Sequence, residues 1–156
     1  MRAVVQRVTG AAVQVEGKPH ADIQAGLLVY LGVAADDTEQ DARRLARKVR
    51  YLRIFDDAEG RMNRDVAQAD GTVLAVSAFT VMADTRKGRR PSYALAARPE
   101  PADKLFDIFC QALAEEGLPV ACGVFQTYMQ VTSTNDGPVC ILLDSDPAAN
   151  SAARDC

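Results

Sequence analysis

Histidine is almost missing from this chain: His20 is the single one among 156 residues. A Ser-His-Asp or Cys-His arrangement could be built only around it, and a His-based metal site would lack ligands. His20 follows the turn-forming stretch Gly17-Lys18-Pro19 and reads as a surface loop residue. Any hydrolytic chemistry is therefore expected to run without imidazole. The four cysteines, Cys110, Cys122, Cys140 and Cys156, show no CxxC spacing and fit no small secreted framework, so reduced thiols in a cytosol are expected. No apolar run approaches membrane-spanning length, and residues 1–7 lack the apolar core of a signal peptide. A cytoplasmic protein with no membrane association is the expectation. The net charge of −3 excludes a surface that attracts nucleic acid as a whole, so a polyanion would need a local basic patch. Asp56, Asp57 and Glu59 lack the twelve-residue calcium-ligand pattern and read as a turn. No metal and no cofactor is expected.

What is present is an ordinary globular composition, 48% hydrophobic and 25% charged, at a length that buries a core in one domain. Residues 3–8 and 12–16 read as a strand pair around Thr9-Gly10, and 26–33 as a continuous apolar strand buried on both faces. Thr38 with Asp41 resembles a capping box, and Ala42, Leu45, Ala46, Val49 and Leu52 follow at helical spacing. The arginines between them are assigned to the helix's wet side. Residues 53–55 form a short strand before a turn, and 72–81 a strong strand carrying hydroxyls at Ser77 and Thr80. Residues 101–116 read as a helix with proline in its first turn and Gly117 as its stop. Strands are expected over 120–125, 128–132 and 139–143. The sum is a mainly antiparallel α/β (α+β) domain over residues 1–144, with 145–156 as a disordered tail.

Two stretches carry candidate chemistry. Asp84-Thr85-Arg86-Lys87-Gly88-Arg89-Arg90-Pro91 is the densest basic loop, readable either as a solvated loop or as phosphate contacts through Arg86, Lys87, Arg89 and Arg90. Asn135-Asp136-Gly137-Pro138-Val139-Cys140 places a Gly-Pro pair between strands. Proline fixes φ and offers no N–H, and glycine enters backbone regions closed to other residues. Such a pair makes a tight turn, or it presents two rigid carbonyl oxygens with no side chain in the way.

Ser77-Ala78-Phe79-Thr80-Val81 and Asn135-Asp136-Gly137-Pro138-Val139-Cys140 resemble the Ser-Gln-x-x-Leu and Asn-x-Gly-Pro-x-Thr patterns of the bacterial and eukaryotic D-aminoacyl-tRNA deacylases. Gln6-Arg7-Val8, Gly26-Leu27-Leu28-Val29, Leu52-Arg53-Ile54-Phe55, Gly60-Arg61-Met62-Asn63 and the stretch from Ala83 to Ser92 resemble the same family, in the same order, over residues 1–144. The resemblance implies a barrel-like core with two main helices and a homodimer whose active sites lie at the subunit interface. It also implies hydrolysis of the ester joining a D-amino acid to the 3′ adenosine of tRNA, and of mischarged glycyl-tRNA. By that analogy the Gly-Pro pair is cis and enters the partner's pocket. There the carbonyls of Gly137 and Pro138 hold the substrate ammonium and exclude an L side chain, Arg7 braces them, and Met129 lies at the substrate. Backbone N–H groups of Phe79 and Thr80, next to Ser77 and Ala78, are the oxyanion-hole candidates. Two routes stay open: Thr80 as nucleophile, or assistance by the tRNA's terminal 2′-hydroxyl. Ala78 stands where the family has Gln, Val81 where it has Leu, Cys140 where it has Thr, and Gln126-Thr127-Tyr128 where it has small residues. These departures leave open a relative that binds the tRNA end with weakened turnover, and a hydrolase using Cys140.

Overall fold

The computed structural model describes residues 1–145; of the tail expected over 145–156, Ser145 is buried and bonded to Met1, and 146–156 lie outside the described residues. Strand β1, Arg2–Val15, is the axis of the sheet. Its first half pairs antiparallel with β3, Gly26–Gly32, and its second half with β2, Lys18–Ile23. Along its other edge it pairs antiparallel with β8, Met129–Asp144. Strand β3 continues the sheet in parallel to β6, Thr72–Ser77, and β6 to β7, Val120–Cys122. A separate antiparallel pair, β4 (Phe55–Asp56) and β5 (Met62–Arg64), flanks it.

The parallel pairings require crossovers, and the crossovers carry the helices. Helix α1, Glu39–Arg50, lies between β3 and β6, and its Thr38–Asp41 capping box is formed as the sequence predicts. Helix α2, Pro99–Glu115, lies between β6 and β7. The two helices pack on each other and on one face of the sheet. Ala42, Leu45, Ala46 and Val49 meet Phe106, Phe109 and Leu113 there, over Leu27, Val29, Leu31, Val73 and Ala75. The other face curls on itself, with β2 coming near β6 and β7. Inside the curl lies a second, smaller core of Val8, Ala11, Val13, Ile23, Leu28, Leu74 and Val76. Both faces of β3 and β6 are thus buried, which explains their unbroken apolar sequence.

Two expected hairpins are single strands. Residues 3–8 and 12–16 belong to one strand, and Thr9-Gly10 is a bulge in it: Val8 pairs with Asn135 and Gly10 with Thr134. One extra residue reverses which side chains face inward. Accordingly Ala3 and Val5 join the helix-side core, while Val8, Ala11 and Val13 join the inner one. Likewise 128–132 and 139–143 are the two arms of β8, not separate strands. Gln6 pairs with Cys140 and Val8 with Asn135, so residues 136–139 leave the ladder opposite Arg7. Asn135 closes the excursion: its Oδ1 accepts from the Val139 N–H at 2.7 Å and its Nδ2 donates to the Val139 carbonyl at 3.0 Å. One amide side chain thereby replaces the ladder bonds that the excursion removes, each worth about 1 kcal/mol.

Other boundaries also shift. The strand expected over 72–81 ends at Ser77, because Phe79–Met82 turns into a 3₁₀ helix. The strand expected over 120–125 stops at Cys122, the short strand after Arg53 begins at Phe55, and α2 starts at Pro99. Pro19 is tolerated inside β2 because the register shifts beside it. His20 lies on that strand, exposed. Ser145, at the end of β8, accepts a hydrogen bond from the Met1 ammonium at 2.6 Å. No helix among the described residues is long and apolar enough to cross a membrane.

Gly26 sets the spacing of β3 and β6. A Cβ there would stand 1.9 Å from the Thr72 carbonyl oxygen and 2.7 Å from its nitrogen, so any side chain forces the strands apart. Gly26→Ala is expected to destabilise the fold by about 3 kcal/mol, read as a lower urea midpoint at unchanged m-value.

Candidate active site

The inner core opens at one end into a cavity of ≈ 850 Å³. Its floor is made by the C-terminal ends of β3 and β6, through Tyr30, Leu31, Val76 and Ser77, and by Met129 and Val131 of β8. Its rim is made by Phe79 and Thr80, by Tyr93, and by residues 125–128. Of the residues that the sequence singles out, the structure brings Ser77, Ala78, Phe79, Thr80 and Met129 together here.

Among the described residues the cavity wall contains no Asp, Glu, Lys, Arg, His or Cys. The Ser77 and Thr80 hydroxyls have no imidazole or carboxylate beside them in the wall to take a proton. Burial pushes the Tyr30 phenol above its ordinary value, so that group stays protonated at neutral pH and is no base. What the wall does supply is main chain. The Ala78 N–H is used, donating to the Leu31 carbonyl at 2.8 Å. The next two residues open the 3₁₀ helix, where N–H groups have no partner within the helix. Among the described residues neither Phe79 nor Thr80 N–H has an acceptor. The Phe79 ring, 58% exposed, is fixed edge-on against Tyr93 with centroids 4.9 Å apart, an arrangement worth about 1 kcal/mol.

Sequence reasoning missed several wall residues. Tyr30 was hidden inside an apolar run that reads as core, and Tyr93 behind the basic loop. Gln126 holds a left-handed backbone, φ 55°, which costs a side-chain-bearing residue about 1 kcal/mol. This is one of the positions where the resembled pattern has small residues; here the same backbone carries an amide at the rim. The Thr127 hydroxyl donates to the Val124 carbonyl at 2.9 Å and holds this turn closed.

The second constellation lies apart from the first. Arg7, 7% exposed, stands behind the excursion of β8. Its Nη1 donates to the Ile54 carbonyl at 2.6 Å and its Nε to the Asp136 carbonyl at 3.2 Å. The Asp136 and Asp56 carboxylates lie 3.1 and 3.6 Å from the guanidinium. A cation this deep would cost several kcal/mol unpaired, and these four acceptors offset that. Gly137 has φ +128°, and a Cβ on it would meet Val139 Cγ2 at 2.8 Å and Arg7 Nη2 at 3.3 Å. Only glycine fits between the loop and its brace. The Gly137–Pro138 peptide is cis, and both residues are exposed. Neither they nor Arg7 line the cavity of their own chain. Cys140, also exposed, follows this loop and is likewise outside the cavity.

The basic loop joins the cavity rim at both ends. It leaves from the 3₁₀ helix and returns to Tyr93, clamped by Asp84–Ser92 main-chain bonds of 2.8 and 2.9 Å. Arg86 is already engaged: it grips Asp84 through Nε at 2.9 Å and Nη2 at 2.7 Å. That grip holds the Asp84 carboxyl down at about 2 and raises Arg86. Asp84 therefore keeps its charge, and its partner, until pH falls towards that value. Lys87, Arg89 and Arg90 are exposed and have no ion-pair partner among the described residues. Among the described residues no cluster of three or more His, Cys, Asp or Glu could hold a metal ion.

Comparison with known proteins bears on both constellations. The family model of the D-Tyr-tRNA(Tyr) deacylases matches residues 4–144. The D-aminoacyl-tRNA deacylase of Anaeromyxobacter dehalogenans (strain 2CP-C) is 56% identical over 145 residues, covering 93% of this chain and 97% of that protein. The solved structure of a c-Myc DNA Unwinding Element Binding Protein superposes with a TM-score of 0.89 at 38% identity, covering 94% of this chain and 99% of that one. A probable eukaryotic D-amino acid tRNA deacylase shares the fold, with a TM-score of 0.77 at 17% identity over 92% of this chain and 98% of that one. From the long bulged strand β1 to the Gly-Pro excursion of β8, the chain belongs to the D-aminoacyl-tRNA deacylase family.

Proposed function

We propose that the chain hydrolyses the ester linking a D-amino acid, or glycine, to the 3′ adenosine of tRNA, and that two copies build each active site. The observation that carries the reading is the separation of the two constellations. The wall of Ser77, Ala78, Phe79, Thr80 and Met129 has room for an aminoacyl ester. Gly137 and Pro138 are exposed elsewhere on the same chain. A selector built so stiffly and facing outward serves the cavity of a second copy in a homodimer.

In that composite site the α-ammonium of the substrate is held by the Gly137 and Pro138 carbonyls, which approach too closely for an L side chain. A D side chain points away, and glycine has none to reject. Steric exclusion by main chain discriminates more strongly than lost contacts in a soft pocket. The ester is already activated, so orientation and charge stabilisation suffice. Water adds to the carbonyl carbon, the oxyanion is received by the Phe79 and Thr80 N–H groups, and the 3′ oxygen leaves as the tRNA hydroxyl. The charge-free wall supports proton movement through the tRNA's own 2′-hydroxyl and disfavours a covalent Thr80, which has no base to activate it. Cys140, outside the cavity, has no part in this scheme. The basic loop, fixed to the rim, steers the tRNA end by phosphate contacts.

The direct test follows the charged fraction of D-tyrosyl-, L-tyrosyl- and glycyl-tRNA with purified protein. Loss of the D and glycyl esters with persistence of the L ester is expected. Equal loss of the L ester contradicts the selector, and protection without hydrolysis marks a tRNA-end binder.

Thr80→Val, which removes the hydroxyl and keeps the shape, is expected to lower kcat/KM by less than about tenfold, and Cys140→Ser to leave it unchanged. A covalent nucleophile would lose about 10⁴-fold.

In the loop, neutralising Lys87, Arg89 and Arg90 together is expected to weaken tRNA binding and flatten the log–log salt slope by about 2. Arg86→Gln, starting from an engaged cation, changes the slope by less.

A further inference from the structure

Cys110 and Cys122 belong to different elements, yet their Sγ atoms lie 3.2 Å apart. Cys110 is on α2, and Cys122 ends β7. Strand β7 is the last in its sheet, held on one side by β6 alone and covered by α2. Both thiols are half-buried and free, packed against the helix-side core. An S–S bond of about 2.05 Å requires closure by roughly 1 Å, a movement that the junction of a helix and an edge strand can supply. Among the described residues no third ligand stands by to make the pair a metal site.

We propose that Cys110 and Cys122 form a reversible disulfide when the protein meets a hydroperoxide, and that the bond staples α2 to β7. The shared hydrogen bond raises Cys110, which burial pushes further up, and lowers Cys122 against the opposing effects of burial and the Asp107 carboxylate. Cys122 is taken as the attacking thiol. Its thiolate sulfur takes the distal peroxide oxygen and releases hydroxide, giving a sulfenic acid. Cys110, already in contact, then attacks that sulfur. The S–O bond breaks, the S–S bond forms, and the oxygen leaves as water. In sum, two thiols and one hydrogen peroxide give one disulfide and two waters. A dithiol reductant reverses the bond by exchange. The closed loop carries the end of α2 and the turn at Gly117, so joining its ends restricts the unfolded chain. This inference stands on the sulfur geometry and is independent of the substrate assigned above.

The full chain, reduced and then exposed to hydrogen peroxide, is alkylated and mapped by peptide mass spectrometry without reductant. Expected is a Cys110–Cys122 cross-linked peptide lighter by two hydrogens, lost on adding dithiothreitol and still formed in Cys140→Ala. The oxidised protein should melt about 5 °C higher than the reduced one, a shift absent in both Cys110→Ser and Cys122→Ser. Independent alkylation of both thiols after peroxide, a sulfinic acid on Cys122 without a cross-link, or Cys140 as partner would overturn the proposal. So would a Cys110–Cys122 bond that leaves Tm unchanged or lower.

Discussion

The pairing of β1 with β8, broken opposite Arg7, is the constraint on which the rest of this molecule depends. Two strands of 14 and 16 residues run antiparallel through both cores, and neither could change core without an interruption. The extra residue at Thr9-Gly10 and the excursion at 136–139 provide it together. Below the break, the odd-numbered residues of both strands face the helices; above it, they face the inside of the curl. The break also leaves main chain without ladder partners, and that is dangerous in a folded interior. Asn135 replaces the lost bonds with its amide, and the Arg7 guanidinium fills the space behind the loop. A strand irregularity that could have been a weak point is thereby stiffened from two sides.

The same break divides the proposed active site into two kinds of surface. The cavity side is apolar and uncharged, and offers main-chain N–H groups. The excursion offers main-chain carbonyls on exposed residues. Donors on one surface and acceptors on the other match the two ends of an aminoacyl ester, the developing oxyanion and the ammonium. In such an arrangement specificity and rate both come from the backbone. Side-chain departures at Ala78 and Cys140 are then tolerable, because neither position supplies a group that the proposed chemistry uses.

Much of this was legible in the sequence where local physics decides. The capping box at Thr38, the apolar run of β3 and the Gly117 stop each depend on a few neighbouring residues, and each is found where expected. The strand count was not. Thr9-Gly10 and Asn135–Pro138 carry turn-forming residues, and turns, bulges and excursions use the same residues. Only the partner strand decides between them, and that partner is more than a hundred residues away. The end of β6 was overrun for a related reason: Phe79 and Val81 are good strand residues, but the sheet has no ladder to offer them beyond Ser77. The motif residues themselves were recognisable. Their division between two places on the surface was implied only by the family resemblance, since nothing in sequence order tells whether Gly137 faces Thr80 of its own chain.

That division is what a hybrid dimer measures most directly. One subunit carries Gly137→Val, which spoils the selector and leaves the cavity; the other carries Thr80→Trp, which fills the cavity and leaves the selector. Each homodimer lacks one half of every site. If the excursion serves the partner's cavity, the hybrid regains one complete site, hydrolysing D-tyrosyl-tRNA and sparing L-tyrosyl-tRNA. A hybrid that discriminates no better than its two parents would contradict the account.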